Sequence, residues 1–127
     1  MAIEKDLENG IIVFMYKKTA DKNGVQHKRF ACGTRDTSLM SRREKAKVPK
    51  AHGGDGPDKY GLVTYWDLYR HMWRCFNPKN YIKTVHKYKT YKDYLAAKKG
   101  GKLPLAEALT REEWEQYRNG DIIRIDE

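Results

Sequence analysis

A basic and aromatic pattern runs through residues 81–89. Tyr81, Lys83, Lys87 and Lys89 all occupy odd positions there, and in a β-strand such side chains would share one outward face. Lysines two positions apart stand about 7 Å from each other, a spacing that suits successive phosphates of a nucleic-acid strand, and the tyrosine could stack on a base. The pattern predicts a nucleic-acid contact surface. The structural alternative is a solvated edge strand whose lysines prevent aggregation.

The same surface is expected to continue onto a helix, a basic loop and a turn. The residues assigned to it there are Lys92, Lys98, Lys99, Arg42, Arg43 and Tyr69. Tyr69 is included because its place in a predicted turn would expose its ring. The neighbouring aromatic residues could form a platform on which bases stack, but they are assigned to the interior, because a small barrel needs large side chains to fill its core. These are Tyr65, Trp66, Trp73 and Phe76.

A second aromatic pair is predicted on a C-terminal helix. Trp114 and Tyr117 are three residues apart and therefore lie on one helical face. Packing of this face onto the rest of the fold is one interpretation. The other is an anchor for a partner protein, because Trp and Tyr dominate such interfaces.

Candidate metal ligands and nucleophiles do not form a recognisable motif. His71 and Cys75 are four residues apart, while His27, His52 and His86 are scattered, and no paired zinc-ligand spacing occurs. Cys32 and Cys75 are expected to be buried free thiols. The sequence therefore predicts no metal, no cofactor and no enzymatic activity.

The charges are unevenly distributed along the chain. The 127 residues carry a net charge of +9, which favours a polyanionic partner. Residues 70–102 hold ten basic side chains against Asp93 alone, whereas residues 103–127 hold seven acidic and three basic side chains. With 39% hydrophobic residues the chain can bury a core, which excludes wholesale disorder. It has no apolar run long enough to span a membrane and no signal peptide, so no membrane partner is expected.

The elements that would position these residues are mainly β-strands. Strands are predicted at 11–16, 25–34, 62–67, 72–76 and 81–88. Because no helical pattern separates the last three, we expect a small antiparallel SH3/Sm-like barrel of about five strands. An exposed basic loop at 35–60, with one helical turn near 37–43, interrupts it. Residues 1–89 would form this barrel.

Residues 90–127 are expected to form a helical extension packed on the barrel. Thr90 and Gly100 bound a predicted helix at 91–99, and Thr110 with Glu113 forms a capping-box pattern before a second helix. Both helices of the fold are thus expected in the C-terminal third. Residues 122–125 could add one last strand to a free edge of the sheet. The predicted fold class is mainly β with C-terminal helices, or α+β.

One stretch of the chain also resembles a known family. The likeness lies in Tyr65, Asp67, Trp73, Arg74, Phe76 and Ile82, with the hairpin that precedes them. Over about residues 10–85 the chain resembles the small Sm-like/SH3-like β-barrel family related to the WYL domain, found in Bacteroidetes and their phages. The resemblance implies a barrel of about five strands and no catalytic residue. It also implies a role in binding a regulatory ligand or nucleic acid, while the loop at 35–59 and residues 86–127 depart from the family pattern.

Two classes of function follow from these patterns. The leading hypothesis is a non-enzymatic protein of a bacterium or phage that binds DNA or RNA in the bacterial cytoplasm. The alternative is a protein–protein interaction or structural component, such as a virion subunit or an antagonist of host defence. Its partner would be an acidic protein surface or a second copy of the chain.

Overall fold

The computed structural model describes residues 2–48, 61–100 and 109–125. The strands are β1 (Ile11–Lys17), β2 (Lys28–Thr34), β3 (Val63–Asp67), β4 (Met72–Phe76), β5 (Tyr81–Tyr88) and β6 (Ile122–Ile123). The α-helices are α1 (Ala2–Asn9), α2 (Arg42–Lys45), α3 (Tyr91–Lys99) and α4 (Arg111–Arg118), and short 3₁₀ helices cover Thr37–Leu39 and Pro78–Asn80. Residues 49–60 of the predicted basic loop lie outside the described residues.

The strands form one sheet in the order β4-β3-β2-β1-β5. Neighbours along this path are antiparallel, which confirms the predicted mainly β fold. β3 pairs with β2 only at Gly33 and Thr34. β6 pairs in parallel with the other end of β2, at Lys28 and Arg29. No pairing of β4 with β5 closes the sheet within the described residues.

Strand β1 is buried on both faces of the sheet, as its continuous apolar run predicts. The side chains of Ile11, Val13 and Met15 enter a first core cluster on one face. Those of Ile12 and Phe14 enter a second core cluster on the other face. Each of these five residues is fully buried. A strand buried in this way requires covering elements on both sides of the sheet.

Helix α1 covers the second cluster, so the prediction that the helices are confined to the C-terminal third was wrong. Its Ile3 and Leu7 are one turn apart and fully buried. The carbonyl of Leu7 accepts hydrogen bonds from Arg35 N at 2.7 Å and Thr34 Oγ1 at 3.1 Å. A helix of eight residues is not stable by itself, and packing provides most of its stability. The sequence pattern was therefore too short to reveal it.

The first cluster is covered by elements from the basic loop and the C-terminal third. Tyr94 of α3 is buried there, and Trp114 and Tyr117 of α4 pack against it.

The predicted capping box of α4 is present. Oγ1 of Thr110 accepts a hydrogen bond from Glu113 N, and the carboxylate of Glu113 accepts one from Thr110 N. The helical turn predicted near 37–43 is also confirmed, by the 3₁₀ helix Thr37–Leu39 and the start of α2. None of the helices in the described ranges has the length and apolar character needed to cross a membrane.

Candidate nucleic-acid interface

Two irregularities in the pairing of β1 with β5 break the alternation of side chains along β5. Ile82 and Val85 are extra residues that the register of Cα partners skips. A β-bulge of this kind changes the face to which the following side chains point. The prediction that the odd-numbered residues of this strand share one outward face was therefore wrong.

Lys83 lies on the face covered by α4. Its Nζ is 2.6 Å from Oε1 of Glu113, and the same oxygen accepts a hydrogen bond from Thr110 N at 2.9 Å. Burial by itself would raise the pKa of Glu113, but the hydrogen bonds from Lys83 and Thr110 outweigh it and lower that pKa. Lys83 therefore helps to hold the start of α4 on the sheet.

Lys87 lies on the opposite face of the sheet, beside α1. Its Nζ is 3.9 Å from Oδ1 of Asp6. A Cβ added at Gly10, directly after α1, would lie 2.8 Å from Cε of Lys87. Lys83 and Lys87 thus point to opposite faces, and each lies next to a carboxylate of its own chain.

The other predicted basic residues are exposed. They are Lys89, Lys92, Lys98, Lys99, Arg42 and Arg43. Lys98 and Tyr69 are brought together, because Nζ of Lys98 lies 4.8 Å from the centre of the Tyr69 ring, a favourable cation–π distance. Tyr69 is half-buried and packs edge-to-face on Tyr94 at 6.2 Å, so it is less exposed than its turn position predicted.

Helix α2 is attached to the sheet by a carboxylate that the sequence interpretation missed. Glu44 is 3% exposed, and it accepts a hydrogen bond from Trp66 Nε1 at 2.9 Å and lies 2.7 Å from His71 Nδ1. Burial alone would raise the pKa of Glu44, but these hydrogen bonds lower it. The sequence contained one signal for helix α2, because Ser41 and Glu44 have the spacing of a capping box. In the structure Ser41 Oγ accepts a hydrogen bond from Glu44 N.

The aromatic pair on α4 faces the fold. Trp114 and Tyr117 are partly buried against the first cluster. Tyr117 packs edge-to-face on Phe30 at 5.7 Å and on Trp114 at 5.8 Å. Their packing matches the structural interpretation of this pair. Both side chains remain partly exposed, so a role as an anchor for a partner protein stays a prediction.

The interior aromatic prediction holds for most of its members. Tyr65, Trp66 and Phe76 are buried. Trp73 is only partly buried and packs edge-to-face on Trp66 at 5.5 Å. These rings are packing groups of the sheet, so they do not form an exposed stacking platform.

The two thiols differ in exposure, which corrects the expectation that both are buried. Cys32 is buried and Cys75 is exposed on β4. Burial raises the pKa of the Cys32 thiol well above its usual value. Within the described residues no group of three His, Cys, Asp or Glu side chains could hold a metal ion, and His52 lies outside these residues.

A concave basic surface forms where the β1–β2 hairpin faces the connection between β4 and β5. Its larger depression has a volume of about 480 Å³. The lining residues are Lys17, Gln26, Lys28, Lys79, Asn80, Tyr81 and Ile82. A smaller depression of about 160 Å³ adjoins it and shares Lys17 and Asn80. It adds Tyr16, Lys18, Thr19, Arg74, Cys75, Phe76 and Asn77. We call the two depressions together the basic cleft.

Like charges converge in the basic cleft. Lys17 of β1 and Lys28 of β2 are directly opposite each other in the sheet. Lys79 joins them from the 3₁₀ helix Pro78–Asn80, whose first turn is capped by Asn77 Oδ1 accepting from Lys79 N at 3.0 Å. No carboxylate is among the described residues that line either depression. Such a surface attracts anions.

Tyr81 is the one member of the predicted surface that lines the basic cleft. Its hydroxyl hydrogen-bonds Thr84 Oγ1 at 2.6 Å, and its partly exposed side chain packs against the second core cluster. The predicted hairpin brings Lys17 and Lys28 near each other, but its loop of several residues does not fix the register that places them directly opposite. Lys79 could not have been added to them, because it is far away along the chain and only the folded sheet brings it near.

The region that contains this cleft also identifies the family. A family model described as WYL_2, Sm-like SH3 beta-barrel fold, matches residues 2–82. The chain belongs to the WYL_2 family. All residues of the basic cleft lie within this WYL_2 region, as does α1, whereas α3, α4 and most of β5 follow it. No curated protein and no solved structure matches the chain significantly.

Proposed function

We propose that this WYL_2 protein binds nucleic acid, without catalysis, through the basic cleft. The observation that carries the proposal is the cross-strand pair of Lys17 and Lys28, with Lys79 beside it, in a depression that no described carboxylate lines. Like charges directly opposite each other destabilise a sheet. A bound phosphate would relieve that repulsion, and the net charge of +9 favours the same class of partner.

Tyr81 supports a nucleic acid over other polyanions. Its hydroxyl is held by Thr84, so the orientation of the ring is restrained before a ligand arrives. A restrained ring loses little conformational entropy when a base stacks on it. Lysines for phosphates next to an aromatic ring for a base are the combination that single-stranded nucleic acids require.

Under this proposal Lys83 and Lys87 contribute less to nucleic-acid binding than the sequence pattern indicates. Their charges are partly neutralised by Glu113 and Asp6. The exposed lysines at and after the end of β5 are not among the residues that line the basic cleft. Three of them form no ion pair within the described residues and provide a matched control: Lys89, Lys92 and Lys99.

Salt-dependent binding measurements test the proposal. Fluorescence anisotropy with short labelled DNA and RNA oligonucleotides would give the slope of log affinity against log salt. Each phosphate contact contributes about -0.7 to that slope for a single strand. The triple variant Lys17→Gln, Lys28→Gln, Lys79→Gln should therefore flatten the slope by about two units.

The control variant Lys89→Gln, Lys92→Gln, Lys99→Gln removes the same formal charge from outside the cleft. It should change the slope by less than the cleft variant does. An equal change in both variants would show that net charge alone drives binding and would contradict a role for the cleft. A wild-type protein that binds no oligonucleotide at about 50 mM salt would overturn the proposed function.

A further inference from the structure

Two side-chain amides share the larger depression with the three lysines. Gln26 and Asn80 line it, and neither side chain forms a hydrogen bond to another described residue. Each amide offers one acceptor oxygen and two donor hydrogens. A phosphate offers acceptors only and can use only the donor hydrogens of an amide, whereas a base edge offers both donors and acceptors and can use the amide oxygen as well.

The size of the depression is compatible with a base as part of the ligand. Its volume of about 480 Å³ is sufficient for one small organic group, and the depression is open to solvent. The lysines, the amides and the Tyr81 ring all reach into this one space. The bases of a duplex are stacked and paired inside it, so a concave site of this kind can receive only a base that has left the stack.

Tyr81 contributes an aromatic side chain to the lining of the depression. It lies between Asn80, next to it in sequence, and Ile82, and all three line the depression. A base stacked on the Tyr81 ring would therefore be next to Asn80, in the same depression as Gln26 and the three lysines.

We propose that the basic cleft binds one unstacked nucleotide of a single strand, with its base on Tyr81 and the base edge hydrogen-bonded by Gln26 and Asn80. This inference rests on the proposed function and names the form of nucleic acid that the site takes. It requires that the protein prefer single strands to duplexes. It also requires that the protein distinguish bases, because the four base edges present different donors and acceptors.

Anisotropy titrations with homopolymeric single strands and with a duplex test these requirements. The probes are oligo-adenosine, oligo-cytidine and oligo-thymidine of equal length, together with a mixed-sequence strand and its duplex. We expect the mixed-sequence strand to bind more tightly than its duplex. The best and worst homopolymers should differ by about three- to tenfold, as one or two net hydrogen bonds would produce.

Variants separate base recognition from phosphate binding. Asn80→Ala and Gln26→Ala should reduce the difference between homopolymers while leaving the salt slope unchanged. Lys28→Gln is the control, because it should weaken binding to every homopolymer alike and flatten the slope by about 0.7. Tyr81→Phe keeps the ring but loses its hydrogen bond to Thr84 and should weaken binding only slightly, whereas Tyr81→Leu should lose about five- to a hundredfold. Circular dichroism would verify that each variant is folded.

The outcomes distinguish the inference from the proposed function. Absence of binding to any probe would overturn both. Equal binding to strand and duplex, with no difference between homopolymers, would overturn the inference and leave the proposed function standing. A base preference that survives both amide substitutions would likewise exclude Gln26 and Asn80 from base recognition.

Discussion

The indole Nε1 of Trp66 donates a hydrogen bond of 2.9 Å to Oε1 of Glu44 and thereby joins β3 to α2. Both side chains are buried, at 1% and 3% exposure. Nδ1 of His71, in the turn between β3 and β4, lies 2.7 Å from the same carboxylate oxygen. Nζ of Lys47 lies 3.5 Å from the other oxygen, so three groups compensate the buried charge. A segment of basic composition is thus attached to the core by its one acidic residue between Asp36 and Asp55.

Replacing Glu44 should change the pH dependence of stability in acid. The pKa of Glu44 is lowered in the folded protein from its ordinary value of 4.5. The ionised carboxylate therefore contributes its full stability above about pH 4.5, and this contribution is lost as the pH falls through the lower pKa of the folded state. Glu44→Gln should therefore flatten the decline in unfolding free energy in this acid range, measured by urea titration. Glu115→Gln, at an exposed position of α4, is the control and should leave the decline unchanged. An identical decline in wild type and Glu44→Gln would contradict the assignment.

The two roles of Glu113 can be separated by comparing glutamine with alanine. Glutamine can still accept the hydrogen bond from Thr110 N that completes the capping box, but it cannot form the ion pair with Lys83. Glu113→Ala should therefore cost about 1 kcal/mol more than Glu113→Gln in chemical denaturation. A double-mutant cycle of Glu113→Gln with Lys83→Gln should give a coupling of up to about 1 kcal/mol. Equal costs for glutamine and alanine would show that the cap contributes nothing.

Gly33 is predicted to be intolerant of any side chain. A Cβ there would lie 2.4 Å from the carbonyl oxygen of Trp66 and 2.6 Å from Cδ2 of Tyr65. Because the nearer atom is backbone, Gly33→Ala should separate β2 from β3 and destabilise the protein by about 1–3 kcal/mol, seen as a lower Tm. Gly100→Ala is the matched control, because its Cβ would come no closer than 3.4 Å to another group. A normal Tm for Gly33→Ala would disprove the close approach of these strands.

The two cysteines should differ sharply in reactivity. The thiolate is the reactive form, and burial raises the pKa of Cys32 whereas Cys75 is exposed. The native protein should react with a disulfide reagent such as DTNB at one thiol, and Cys75→Ser should abolish that reaction. Both thiols should react in denaturant. Rapid native reaction of the Cys75→Ser variant would show that Cys32 is accessible.

Local patterns in the sequence were sufficient to locate most elements. The apolar run of β1, the turn signal at Asn23 and Gly24, and the capping box of α4 each act through neighbours within a few residues, so each could be read without a fold. α1 was missed because Ile3 and Leu7 are too few to form a helical pattern. The role of Glu44 was missed because its partners, Trp66 and His71, are distant in sequence.

The sequence by itself determined that the chain is basic, that its fold is mainly β, and which residues begin and end its two C-terminal helices. Only the tertiary structure decided where each lysine points. Two bulges that depend on the pairing of β5 with β1 place Lys83 beside Glu113 and Lys87 beside Asp6. The same folding brings Lys79 to Lys17 and Lys28. Side-chain direction in a strand depends on register, and register is set by contacts between residues that are far apart along the chain.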